Sequence, residues 1–158
     1  MSARYTELAA DIKAHLNTVP GSGVVHTYER QSSDIKKFLA LFQEPSSGKI
    51  LGWEITRRAV SEHENGAVFR HHQMVLTGYM GLQDAEASSA TFQNLVDAIC
   101  DEFRTADPIS GTVMWHYRDG DNPDNSPVQV EQINDRMFGN VLCHCAVIAI
   151  SITERIIT

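Results

Sequence analysis

The chain reads as an α+β domain, a mainly antiparallel sheet with a long β-hairpin and helices packed on one face. Three observations predict this class. Asn65-Gly66 separates two long runs of alternating pattern, and this dipeptide tolerates the positive φ values that a tight hairpin turn requires. Directly afterwards Phe92, Leu95, Val96, Ile99, Cys100 and Phe103 recur at helical spacing. Finally, residues 141–152 are apolar on both faces of a strand, which suits a central position or one covered by a partner.

Taken in order, Tyr5, Leu8, Ala9, Ile12 and Leu16 form the buried stripe of a first helix. Val19-Pro20-Gly21 stops it, because proline disfavours helix in the residue before it. Residues 24–30 alternate as a strand. Ser32 or Ser33 can cap a short second helix that buries Ile35, Phe38, Leu39 and Phe42 and leaves Lys36 and Lys37 wet.

Residues 49–106 read as a long β-hairpin feeding directly into an amphipathic helix. A two-residue loop makes Glu64 and Ala67 partners, and counting back pairs Ala59 with His72, Arg57 with Met74, Ile55 with Leu76, Trp53 with Gly78 and Leu51 with Met80. One face is then mainly apolar, the other mixed to polar, and a slip of one residue would invert both. Trp53 beside Gly78 suits an indole lying over bare backbone. The apolar residues crowd the base, whereas Ser61, His63 and Glu64 place a polar tip outward. Ser88 or Ser89 can cap the following helix, whose apolar stripe should lie on the Trp53 and Leu76 face.

Farther on, Asp107-Pro108 and Ser110-Gly111 break the chain, 113–117 makes a short strand and 119–127 a polar loop. Residues 128–133 and 141–152 are further strands, joined by a turn near Gly139-Asn140.

With 158 residues and no linker-like stretch, one domain over residues 1–158 is expected. The 20 acidic residues against 13 basic ones give a formal charge of −7, which argues against wrapping nucleic acid. An odd number of cysteines and an opening Met1-Ser2-Ala3-Arg4 without an apolar signal region predict a cytoplasmic setting, and no run is long enough to span a bilayer.

Catalytic and ligand-binding marks are absent from the sequence. Gly21-Ser22-Gly23 lacks the third glycine of a dinucleotide loop and leads into a strand instead of out of one. No phosphate-cradling loop, esterase elbow or zincin pair occurs. Cys143 and Cys145 share a strand face, but one residue between them is too close for the usual zinc spacing, and Cys100 stands alone; buried thiols are expected. His71 and His72 point to opposite faces, so a regular strand cannot bring both to one metal. His72 reads as a partly buried ring near Ala59, His71 as a surface group; His116 and His144 also fall in strands. Asp119, Asp121 and Asp124 alternate with glycine, asparagine and proline, yet the central glycine and terminal glutamate of a calcium loop are missing. No metal, cofactor or catalytic residue is therefore expected.

Five segments carry a resemblance: Val24-Val25-His26-Thr27-Tyr28-Glu29-Arg30, Lys37-Phe38-Leu39-Ala40-Leu41-Phe42, Gly52-Trp53-Glu54-Ile55-Thr56-Arg57-Arg58, Gly78-Tyr79-Met80-Gly81-Leu82 and Arg136-Met137-Phe138-Gly139-Asn140-Val141-Leu142-Cys143-His144. In combination the chain, from about Leu8 to Glu154, resembles the tail terminator (tail completion) proteins of long-tailed bacteriophages. The resemblance implies a structural virion protein with no active site. It implies a homo-oligomeric ring, a hexamer, assembled in the host cytoplasm at the head-proximal end of the tail. Its partners would be the tail tube protein and a head–tail connector protein, and DNA would pass through the lumen unbound. On this reading the hairpin tip, with Arg58, His63, Glu64, Asn65 and Arg70, and the loop with Asp119, Asp121 and Asp124 supply contacts to neighbours or tube. A connector or tube subunit of the same virion is the nearest alternative, and a non-phage metal-binding module a more distant one.

Overall fold

A computed structural model describes residues 4–106, 114–116, 126–138 and 140–156. In chain order the elements are α1 (Arg4–Asn17), β1 (Val24–His26), α2 (Ile35–Phe42), β2 (Leu51–Glu64), β3 (Val68–Gly81), a 3-10 turn (Asp84–Glu86), α3 (Ser88–Thr105), β4 (Met114–His116), β5 (Val128–Phe138) and β6 (Val141–Ile156). The predicted α+β class holds, with a sheet that is antiparallel except where β1 joins β2.

The sheet runs β1-β2-β3-β6, and both β4 and β5 pair with the far edge of β6. These two lie one after the other along that edge: His116 sits opposite Ile152 and Val128 opposite Ile150, with the Ser151 amide donating to the Pro127 carbonyl between them. The final strand, apolar on both faces, is central as expected, and it runs on to Ile156. β5 likewise continues past Ile133 to Phe138, which is paired with Val141 of β6.

Two helices share one face. Leu8, Ile12 and Leu16 of α1 and Phe92, Val96, Ile99 and Phe103 of α3 close over Trp53, Ile55, Met74, Leu76, Ile148 and Ile150, all 2% exposed or less. At about 1.5–3 kcal/mol for each large apolar side chain fully buried, this layer supplies most of the drive to fold. Trp53 lies over Gly78 as predicted, its ring stacked on Phe92 at 6.3 Å. The short α2 departs from the expected single helical face: Phe38 and Phe42 pack on the opposite side, against Tyr79, Phe138 and Cys143. Gly52 permits this, since a Cβ there would come within 3.0 Å of Phe42.

The hairpin keeps its predicted register from Leu51↔Met80 to Arg57↔Met74 and then departs from it. Arg58 forms a β-bulge, after which Ala59 faces Gln73, Val60 faces His72 and Glu64 faces Val68. The loop is therefore 65–67, one residue longer than predicted, with Gly66 at φ +70° and the Asn65 amide donating to the Ala67 carbonyl. One extra residue in β2 offsets the longer turn, so the core positions nearer the base are undisturbed.

Three local expectations change. β1 stops at His26 because the Arg30 amide turns inward to the Glu54 carboxylate, 3.0 Å away, instead of extending a ladder. The α2 cap is Asp34, whose carboxylate accepts the Lys37 amide, in place of Ser32 or Ser33. Neither Ser88 nor Ser89 caps α3; Ala87 holds that position in a left-handed conformation (φ 54°, ψ 44°). That conformation costs an alanine about 1–2 kcal/mol.

Candidate functional site

Beyond the reach of α2, among the described residues, no helix covers the face of the sheet opposite α1 and α3. Strand alternation places Arg58 of β2 and Glu131 of β5, each at a bulge, on this open face. The Arg58 guanidinium spans β3 and β6 and donates two bonds to the Glu131 carboxylate, at 2.5 and 2.6 Å. The bidentate pair holds the Glu131 carboxyl below its ordinary range.

The tip end of the sheet gathers His63 and Arg70. His63 Nδ1 lies 2.7 Å from His71 Nε2, and His71 Nδ1 is 2.9 Å from Thr153 Oγ1, so His71 is less of a surface group than expected. Arg70 donates to Glu62 at 2.7 Å and reaches toward Glu154 beneath. Glu64 and Asn65 are exposed at the loop. Arg58 joins none of these, and Asp119, Asp121 and Asp124 lie outside the described residues.

On the helical side of the same strands sits a buried ionic centre that the sequence did not announce. Glu154 is fully buried, contacted by Arg4 from α1, by His72 Nε2 at 3.1 Å and by Arg70 at 3.8 Å. His72 is also fully buried, not partly, because alternation along β3 puts it on the same face as Met74 and Leu76, beside the buried Ile152 of β6. Its Nδ1 has no hydrogen-bond partner among the described residues. The neutral tautomer with Nε2–H donating to Glu154 satisfies the pair best, and burial holds His72 below its ordinary pKa.

A second polar chain links α3 to the sheet. Ser88 Oγ is 2.8 Å from His144 Nε2, and His144 Nδ1 is 2.6 Å from Asp135 Oδ1. An ionised aspartate only accepts, so Nδ1 carries the proton, Nε2 accepts, and Ser88 donates to it. Ser88 Oγ also accepts the Gln83 amide at 2.8 Å. Ser88 and His144 are nearly buried, at 6% and 5% exposed, with Phe92 stacked on the imidazole, whereas the Asp135 side chain is about half exposed. The register of the β5–β6 turn would have revealed the cross-strand pair Asp135↔His144 had the strand been extended past Ile133; Ser88 gave no sign beyond its place at a helix start.

Cys143 and Cys145 are buried as expected, and burial pushes the Cys143 thiol up to about 11. Among the described residues no group of three or more His, Cys, Asp or Glu side chains could hold a metal, and no helix is long and apolar enough to cross a membrane.

Besides the short outer edges of β1 and β4, two long strand edges are open among the described residues. β2 from 56 to 64 has no strand partner on the side away from β3, and β5 has none on the side away from β6, among the described residues. β5 also leaves Val130, Ile133 and Met137 exposed, Met137 at 61%. Comparison of the chain with models of known protein families and with curated proteins finds no match.

Proposed function

We propose that this chain is a structural protein of a long-tailed bacteriophage, assembling as a ring, a hexamer, that caps the tail tube, ends its growth and offers a surface to the head. The resemblance of the five segments motivates the reading. The single observation that supports it is the pair of unpaired strand edges at opposite sides of one sheet, β2 at one and β5 at the other. Exposed edges of this length invite pairing unless a protein defends them. Two different edges meeting is a heterologous contact, the kind that closes into a ring when the rotation permits.

Both edges carry a bulge and β5 has Glu131, Asp135 and Arg136, but β5 lacks proline and lysine, and its exposed Val130, Ile133 and Met137 gain by being covered. A formal charge of −7 suits a lumen through which DNA passes without binding. The role requires no catalytic step.

Electron microscopy of particles assembled without this protein tests the role. Overlong or irregular tails lying apart from filled heads are the expected result. Tails of normal length that fail to attach would assign it to the connector, and intact infectious particles would end the structural reading.

A further inference from the structure

We propose that Ser88, His144 and Asp135 form a nucleophilic site of the serine-hydrolase type, able to take the acyl group of a small apolar ester. The inference is independent of the ring role, which needs no chemistry.

The order of the contacts carries it. Ser88 Oγ faces His144 Nε2 at 2.8 Å and His144 Nδ1 faces Asp135 Oδ1 at 2.6 Å, so the aspartate selects the tautomer in which Nε2 can accept the serine proton. These three groups come from α3, β6 and β5, and such a relay is recognised by geometry and roles, not by sequence order.

Three surrounding features fit the same chemistry. A hydroxyl has two acceptor positions, and the Gln83 amide occupies one, leaving the other for a carbonyl carbon. Ser88 opens α3, where the amides of Ser89 and Ala90 have no carbonyl partner available within the helix and can face a developing oxyanion. Ser88 also belongs to the wall of a cavity of about 240 Å³ that has both apolar members, Ile50, Leu51 and Met80, and charged ones, Glu44, Lys49 and Glu86. Lys49 and Glu86 are paired with each other at 2.8 Å, so the apolar members are left to meet a short acyl chain. The left-handed Ala87 immediately before Ser88 is the kind of local strain that accompanies functional corners.

The reaction balances with water alone. Ser88 Oγ bonds to the ester carbonyl carbon while its proton passes to His144 Nε2; the tetrahedral intermediate collapses, breaking the bond to the alcohol oxygen, which leaves with that proton. Water then adds to the acyl-serine with His144 again taking the proton; the ester bond to Ser88 breaks as Ser88 Oγ takes that proton from His144, and the carboxylic acid departs with the site restored.

The test uses the full chain with an alkyl fluorophosphonate, followed by intact mass and peptide mapping, and in parallel with p-nitrophenyl acetate. One phosphonyl group per chain, mapped to Ser88, is expected. Ester hydrolysis should be abolished in Ser88→Ala and fall about 100-fold or more in His144→Gln, the usual loss on removing a general base. Circular dichroism establishes that each variant is folded. No adduct on the folded wild-type chain, or an adduct only at another residue, overturns the proposal and shows the three side chains to be a structural tie, whether or not Ser88→Ala folds. Neither result bears on tail length in the particle experiment.

Discussion

Adding one methyl group at Gly78 tests the account of the core most directly. A Cβ there would lie 2.5 Å from three carbons of the Trp53 ring, well inside van der Waals contact. The ring cannot easily withdraw, because Trp53 is fully buried and stacked on Phe92, and Gly78 lies in β3 between β2 and β6. In the absence of the clash, replacing an interior strand glycine by alanine would help by about 0.5–1 kcal/mol. Overpacking costs about 1–3 kcal/mol, and three ring carbons at 2.5 Å place this case at about 2–3 kcal/mol, so Gly78→Ala should lose a net of about 1–2.5 kcal/mol. For a domain of this size that lowers Tm by about 2–10 °C. Thermal and urea unfolding of Gly78→Ala, of Trp53→Leu and of the double variant would separate the terms, because the methyl group should cost nothing once the indole is gone. A Gly78→Ala protein as stable as wild type would refute the close approach of indole to backbone and the sheet register that produces it.

Two further predictions concern titration. Burial holds His72 below its ordinary value of 6.5, and protonating its unpartnered Nδ1 would bury a donor with no acceptor. Since the folded pKa lies below the unfolded one, the stability it contributes is complete above about pH 6.5 and is lost as pH falls through the folded value. His71 works in the same direction through burial and then the nearby His63, while Glu54, raised by burial, acts oppositely in the carboxylate range. Urea midpoints should drop from about pH 7.5 to about pH 5.5, and His72→Gln should flatten that drop; an unchanged slope in the variant would assign the effect elsewhere. Cys143 and Cys145, buried and with thiols raised in pKa, should resist alkylation in the native protein near neutral pH, leaving half-buried Cys100 as the first site modified. Peptide mapping that finds Cys143 labelled as fast as Cys100 would contradict the packing of α2.

What could be read from the residues, and what could not, follows from the range of the interactions. The helix stripes of α1 and α3, the base of the hairpin and the central position of β6 were legible because burial imposes a period on nearby residues. Trp53 beside Gly78 was legible for the same reason. The bulge at Arg58 was not, since a longer turn and an extra strand residue offset each other and leave the apolar pattern near the base intact. The side of the sheet taken by α2 depends on Gly52 making room for Phe42, a contact between separate elements. The Glu154 centre joins Arg4, His72 and Arg70 through strand pairs and a helix distant in sequence, and no local spacing marks it. Of the anticipated contact residues, His63 and Arg70 lie at one end of the sheet but on opposite faces, whereas Arg58 finds Glu131, which periodicity gave no reason to single out.

The way β4 and β5 share one edge of β6 has a consequence for how this protein can change. The attachment points of residues 117–127, opposite Ile152 and Ile150, are two rungs apart on the same strand, about 7 Å. Both ends are fixed by backbone bonds to β6, so the length of chain between them is not set by any distance it must bridge. Closing a longer loop between fixed points costs only about 0.6 kcal/mol for each doubling of its length. Chain added between His116 and Val128 therefore leaves both attachment points on β6 where they are, which makes this connection the place at which to graft a tag.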